Sequence, residues 1–403
     1  MTQADQRADA SAITPHRSEF SGSGGEYFRV WIVNVLLTIV TLGFYTPFAR
    51  RRTVQYFYGH TLIAGSPLEF TAQQKRMVIG FVIFVVLYGG FQLAAETGQD
   101  AVVAILMLGG AALAPYFWAS AMRFRLNATR WRGVRLQFTA SWGEVYRASW
   151  PVFAIAGLWI VFSFAVGGLV PDLPEDAPPR LRDIPWLPLL AIGGVAAAGS
   201  FLCLVKLEFN YKSLLVARAR IGGQAGRWKP VFRDFLRIWL ATLGVFLLSV
   251  LAVALLVGLA FGGSFALIAG KKAAGFLFFL MMLGMFVGTI FALFLASAPA
   301  RAYREARMFR LVWNNVGVSH LARFKCRLKV RRYVMLRVKN IFLTLFTLGF
   351  YRPFALVAEY RMKTESVTLH VKGGLDQLAG QLAREEQGLG DAIADAMGLD
   401  LVG

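Results

Sequence analysis

Six stretches without one charged side chain, residues 77–95, 101–122, 150–170, 186–205, 238–262 and 273–298, limit what this chain can fold into. Each is about twenty residues or longer, the length at which a helix rising 1.5 Å per residue crosses ~30 Å of hydrocarbon. The composition agrees, with 57% hydrophobic and 16% charged residues, where a soluble domain carries about 45–50% and 25%. The sequence therefore predicts an all-α polytopic membrane protein with six firm spans.

Two more apolar blocks, residues 30–49 and 341–358, are interrupted by Gly-Phe-Tyr-x-Pro. Proline cannot donate to the helix ladder and glycine loosens it, so these blocks are expected to be broken or re-entrant helices, or to span. They are also copies of each other. NVLLTIVTLGFYTPFA (34–49) and NIFLTLFTLGFYRPFA (340–355) align without gaps at an offset of 306 residues, with eleven of sixteen positions identical. After each copy the apolar residues alternate, at Leu68 and Phe70 and at Val367, Leu369 and Val371, and a third alternation runs through Val134, Leu136 and Phe138. That period predicts half-buried strands, here as small cytoplasmic β-hairpins at helix ends. A proline, a basic helix and an Asn-containing turn recur after Pro115 and Pro299. The chain thus reads as an internal duplication. Residues 1–25 are polar and end in a Gly/Ser run, without the apolar core of a signal peptide, and are expected to form a disordered tail. A transmembrane domain would fill 26–373 and an acidic tail 374–403.

Lys and Arg number 43 against 23 Asp and Glu, a formal charge of +20. Thirty-one of the basic residues lie in four long connections, 49–76, 123–149, 206–237 and 301–339, which hold only five acidic residues. Two of the intervening connections, 96–100 and 171–185, are acidic; the third, at Lys271 and Lys272, is not. Basic connections on every second turn place the four long ones in the cytoplasm. The charge then follows from topology, and nucleic acid is not an expected partner despite Arg130, Trp131 and Arg132, which could stack on a base. Anionic membrane lipids are expected, with Arg50, Arg51, Arg52, Arg301, Arg304 and Arg307 at helix exits as candidate head-group ligands. Stop-transfer and snorkelling are the plainer explanation of the same residues.

The paired TLGFYxPF segments carry the sharpest functional expectation, because broken helices placed symmetrically in two halves of a membrane protein are where transporters build binding sites. The candidate ligand-binding residues are Thr41, Gly43, Tyr45, Thr347, Gly349 and Tyr351. The alternative is that Gly and Pro end a helix and the aromatic rings anchor it in the interface. No ionisable residue lies inside the six firm spans, which argues against a proton-coupled pump. Asn34, Asn340 and Arg352 in the broken blocks are pathway candidates, or polar bonds between packed helices. Catalysis finds no support: His16, His60, His320 and His370 are scattered, no HExxH, Gly-x-Ser-x-Gly or Walker loop occurs, and Cys203 and Cys326 are too few for a disulfide framework or a four-ligand metal site. No enzyme, cofactor or metal is expected. The expected function is permeation, or lipid or small-molecule handling, through the symmetric broken helices. The alternative is an envelope scaffold or accessory subunit that holds a partner on its basic cytoplasmic face. A second copy of the chain is a further expected partner.

From GEYFRVWIVNVLLTIVTLGFYTPFARRRTVQYFYGHTLIAG (25–65) the sequence resembles the YjgN family of bacterial inner-membrane proteins. The order carries the likeness: Gly-Glu-Tyr-Phe, the Leu-Gly-aromatic-Tyr core, an Arg-rich exit, then aromatic and Gly turns. The closing TLGFYRPFALVAEYR extends it over most of residues 20–373, with departures at Gly59-His60-Thr61 and Asn314-Asn315-Val316. The resemblance implies a multi-pass inner-membrane protein and offers a membrane metallopeptidase as a partner. It brings no activity, substrate or catalytic residue.

Overall fold

The computed structural model describes residues 13–169, 185–269, 275–318 and 322–372, with residues 380 and 382. In chain order the first elements are β1 (Ile13–Phe20), α1 (Gly24–Val40), α2 (Thr46–Gly59), β2 (Thr61–Ile63), β3 (Ser66–Phe70), α3 (Gln74–Glu96), α4 (Asp100–Asn127), β4 (Thr129–Trp131) and β5 (Val134–Phe138). Then follow α5 (Trp142–Ala148), α6 (Trp150–Leu169), α7 (Trp186–Arg218), β6 (Ala219–Ile221), β7 (Gln224–Trp228), α8 (Phe232–Ala269) and α9 (Gly275–Asn315). The last are β8 (Val316–Val318), β9 (Ala322–Cys326), α10 (Val330–Phe346), α11 (Arg352–Thr364) and β10 (Val367–Lys372). The chain divides into two compact units, Met1–Phe70 with Arg233–Leu378, and Thr71–Phe232 with Ala379–Gly403.

Among the described residues six helices are long and apolar enough to cross a membrane, one for each uncharged stretch: α3, α4, α6, α7, Phe232–Leu256 of α8 and Met282–Asn315 of α9. Their apolar side chains lie mostly on the outside of the protein, as in Leu259, Phe164 and Phe286. This inverts the soluble pattern and suits acyl chains as solvent.

The all-α expectation is corrected by the strands. Among the described residues ten strands pair antiparallel, in the order β8-β9-β10-β1-β2-β3 within the first unit and β4-β5-β6-β7 within the second. Helices α2, α4 and α7 each lead into the same construction, a three-residue strand, a tight turn and a five-residue strand, and α9 leads into strands of the same lengths. Three of these turns have positive φ at both central residues: Ala64 and Gly65, Arg132 and Gly133, Gly222 and Gly223. That is the type I′ turn, whose twist matches the strands it joins. A hairpin this short is marginal alone. The hairpins therefore pair edge to edge and become sheets instead of isolated caps.

The expected strands at residues 66–70, 134–138 and 367–372 are present. The tail expected to be disordered supplies β1, which runs beside β10 from Ile13↔Lys372 to Arg17↔Thr368 and beside β2 from Ser18↔Ile63 to Phe20↔Thr61; residues 1–12 lie outside the described residues. Apart from Gly380 and the buried Leu382, so does the acidic tail. In the first unit the core lies where β9 and β10 meet the helices, with Ala302, Ala306, Cys326, Leu328, Tyr333 and Val367 buried together.

Candidate functional site

Both broken blocks are helical hairpins in the first unit. The helices α1 and α10 have 17 residues each, and α2 and α11 have 14 and 13, all short of the ~20 a span requires. Each turns back over the repeated motif. The Thr41 hydroxyl donates to the Leu37 carbonyl at 2.7 Å and accepts from the Tyr45 N–H at 2.9 Å. Thr347 does the same with Leu343 and Tyr351 at 2.7 and 2.9 Å. Leu42 and Gly43 (φ +47° and +93°) and Leu348 and Gly349 (+49° and +95°) reverse the chain in the left-handed region, where glycine alone is unstrained. Pro47 and Pro353 then stand at the start of the returning helix, where a missing N–H costs nothing.

One asparagine closes each hairpin. Asn34 Nδ2 donates to the Ala49 carbonyl at 3.4 Å, and Asn340 Nδ2 to that of Ala355 at 3.3 Å. These are the helix–helix bonds that were one of the two readings of the asparagines. The tips are apolar and bare, with Leu42 89% and Leu348 91% exposed and Phe44 and Phe350 beside them. In water such tips would be a liability. Hydrocarbon is the solvent that suits them.

The C-terminal hairpin also carries charge. Arg337 forms an ion pair with Glu359, whose side chain is 9% exposed. Asn340 Nδ2 reaches the other carboxylate oxygen at 3.0 Å. Arg337 also lies 3.4 Å from Glu305 of α9, and Lys363 pairs with Glu305 at 2.8 Å. Two cations and two anions thus tie α9, α10 and α11 together.

Above this network, between α9 and the hairpin, lies a cavity of about 460 Å³. Arg337, Asn340 and Glu359 line one part of it, and Phe294, Leu295, Ile341, Leu345, Leu348 and Leu356 form apolar walls. Arg352 lines it as well, from the first turn of α11. Its side chain is exposed and, among the described residues, pairs with no carboxylate. Phe294 stands seven residues inside Arg301, the last charge of α9 before its apolar run, so this end of the cavity lies roughly 10 Å into the apolar part of the helix.

Of the expected ligand-binding residues, only Gly349 lines this cavity. Thr41 and Thr347 hold turns. Tyr45 and Tyr351 stack on Phe48 and Phe354 with ring centroids 5.5 and 5.8 Å apart. The two copies are brought together through other rings, Phe28 against Phe354 at 5.8 Å and Trp31 against Phe350 at 6.5 Å. Gly24 permits this approach, since a Cβ there would sit 2.6 Å from the Phe354 ring. None of the six arginines expected at lipid head groups lines the cavity. Arg50, Arg51 and Arg52 are on α2; Arg301, Arg304 and Arg307 lie over Phe294, Trp239 and Tyr303 at 5.8, 4.5 and 5.5 Å. Glu305 and Glu359 were not anticipated, and setting the two copies side by side would have flagged Glu359, where the first copy has Thr53.

A hairpin-bearing, six-span membrane protein is what the fold defines, and comparison with known proteins supplies the family. Residues 15–396 match the family described as bacterial protein of unknown function, DUF898, and the chain belongs to it. It is 26% identical over 191 residues to the inner membrane protein YjgN of Escherichia coli O157:H7, which covers 47% of this chain and 46% of that protein. To YjgN of Salmonella typhimurium strain LT2 it is 28% identical over 188 residues, 45% of each. The matched region spans about half the length of these curated relatives. No solved structure matches. The resemblance read from the motifs is borne out, and the chain is a multi-pass inner-membrane protein.

Proposed function

We propose that the protein is a non-enzymatic handler of amphiphilic anions, a lipid or a small molecule, which holds the ligand's charged group at Arg352 and its apolar part against the cavity wall. The observation that carries this reading is a cation that pairs with no carboxylate among the described residues, on a cavity walled by Phe294, Leu295, Ile341, Leu345, Leu348 and Leu356, at apolar depth. A lone charge at the bilayer centre costs about 2.5–3.5 kcal/mol or more, less near the interface, and such residues mark ligand pathways. Glu359 cannot supply the missing anion, because Arg337 and Asn340 already hold both of its oxygens. An incoming anion can.

The hairpins support a sidedness as well. Each returns to the side from which it started, so with six spans β1 and β10 share one side with the four basic connections, which the positive-inside rule assigns to the cytoplasm. The ligand then enters from the cytoplasmic leaflet.

The test is mass spectrometry of the gently solubilised protein before and after Arg352→Gln. The expected outcome is a co-purifying anion whose retention falls about tenfold or more in the variant, tenfold being ~1.4 kcal/mol. Retention unchanged by the substitution, or the absence of any bound anion, ends this reading.

A further inference from the structure

The hairpin that bounds the cavity has a second concave face. A groove of about 490 Å³ lies at its base, lined by Arg327, Lys329, Arg332 and Arg361 and floored by Leu328 and Met362. Leu336 and Ala358 face this groove, while their chain neighbours Arg337 and Glu359 line the cavity. The two sites therefore occupy different faces of the same pair of helices.

The charge in the groove is one-sided. Glu365 is its single carboxylate, and it lies 3.8 Å from Arg361. Arg361 also donates to the Gly22 carbonyl at 2.6 Å, so its guanidinium is already engaged. Arg327, Lys329 and Arg332 pair with no carboxylate among the described residues. Repulsion among three cations gathered around one concavity is unfavourable unless an anion shares it. The helix α10 starts at the same point, and its N-cap residue Lys329 makes no side-chain capping bond. The open N–H groups of that first turn and the positive end of the helix dipole add to the field of the side chains.

We propose that this groove binds a phosphate group carried by an anionic ligand. Two planar guanidinium forks and an ammonium suit the several oxygens of a phosphate better than a single carboxylate. The volume falls within the ~300–1,000 Å³ of ordinary ligand sites. The head group of an anionic lipid and a soluble phosphate compound share this chemistry. The inference goes beyond the cavity and does not depend on it, since no residue lines both sites.

The experiment uses the full chain in nanodiscs of phosphatidylcholine, titrated separately with dioctanoyl phosphatidylglycerol and with pyrophosphate. Wild type is compared with R327Q/K329Q/R332Q and with R331Q, which removes an exposed charge outside the groove. Saturable binding of either probe is expected, weakened about tenfold or more by the triple variant and less than about twofold by R331Q. Binding of phosphatidylglycerol alone identifies a lipid head group, binding of pyrophosphate alone a soluble phosphate, and both support the groove. Failure of both probes to bind, or equal losses in the triple variant and R331Q, overturns it. If the triple variant does not fold, K329Q alone is expected to weaken binding several-fold, and unchanged affinity there is equally fatal. R352Q should leave this binding intact, which separates failure of the groove from failure of the cavity.

Discussion

The hairpin α1–α2 and the hairpin α10–α11 make the same turn with the same residues, yet among the described residues only the second is closed by an internal ion pair, Arg337 with Glu359. Asn34 and Asn340, Thr41 and Thr347, Gly43 and Gly349 perform matching tasks at matching positions. Where the second copy has Arg337, Arg352 and Glu359, the first has Trp31, Thr46 and Thr53. The shared residues build the device and the unshared ones charge it. Strong internal repetition marked a structural requirement, the tight reversal of a chain between two helices, and the charged side chains lie in the departures from the repeat.

That contrast can be broken most directly at the ion pair. Glu359→Ala leaves Arg337 with only the longer Glu305 contact, and a loss of about 3 kcal/mol is expected in denaturant titrations of the detergent-solubilised protein. Thr53→Ala, its counterpart in the first copy, should cost less than about 1 kcal/mol. Arg337→Leu with Glu359→Leu should recover most of the loss, because two apolar residues leave no uncompensated charge. Equal losses at positions 53 and 359 would erase the distinction between the copies.

The asparagines come next. Asn340→Ala should cost about 2 kcal/mol and Asn34→Ala about 1, since Asn340 serves Glu359 as well as the Ala355 carbonyl. At the turns the copies should behave alike: Gly43→Ala and Gly349→Ala meet open space but force φ near +93° and +95° on a residue with a Cβ, for a loss of about 1 kcal/mol each. The smallest effect is expected at Tyr45→Phe and Tyr351→Phe. Neither hydroxyl makes a hydrogen bond among the described residues, so a change beyond about 0.5 kcal/mol in melting behaviour would show a contact of the hydroxyl that the geometry lacks.

The spans, the duplication and three of the strands were legible in the sequence because each rests on a local period or a direct repeat. The remaining strands were not. In β6 and β8 only three residues are extended, too few to show alternation, and QAGRW in β7 offers a single large apolar side chain, Trp228. ITPHRSEF in β1 buries only Ser18 and Phe20, so its strand character comes from β2 and β10, its partners in space. The site was hidden for a similar reason. Glu359 is one acid in a basic stretch, and its meaning arises only when the turn at Leu348 and Gly349 brings α11 back against Arg337 and Asn340. Arg352 was legible as a charge in an apolar block, but that no carboxylate among the described residues pairs with it was not.

The pairing of β1 with β10 also sets a timetable for synthesis. Ile13 meets Lys372, 359 residues later, and at about 5–20 residues per second a ribosome needs roughly 20–70 s to deliver the second strand. The partner of β1 on its other side, β2, emerges early. For most of translation, then, one rim of the first sheet waits unzipped while the spans are inserted. Pro15, which brings no N–H to the waiting rim, and the charged Arg17 make that rim a poor template for a passing strand. Maturation of the first unit is thus governed by the late arrival of β10.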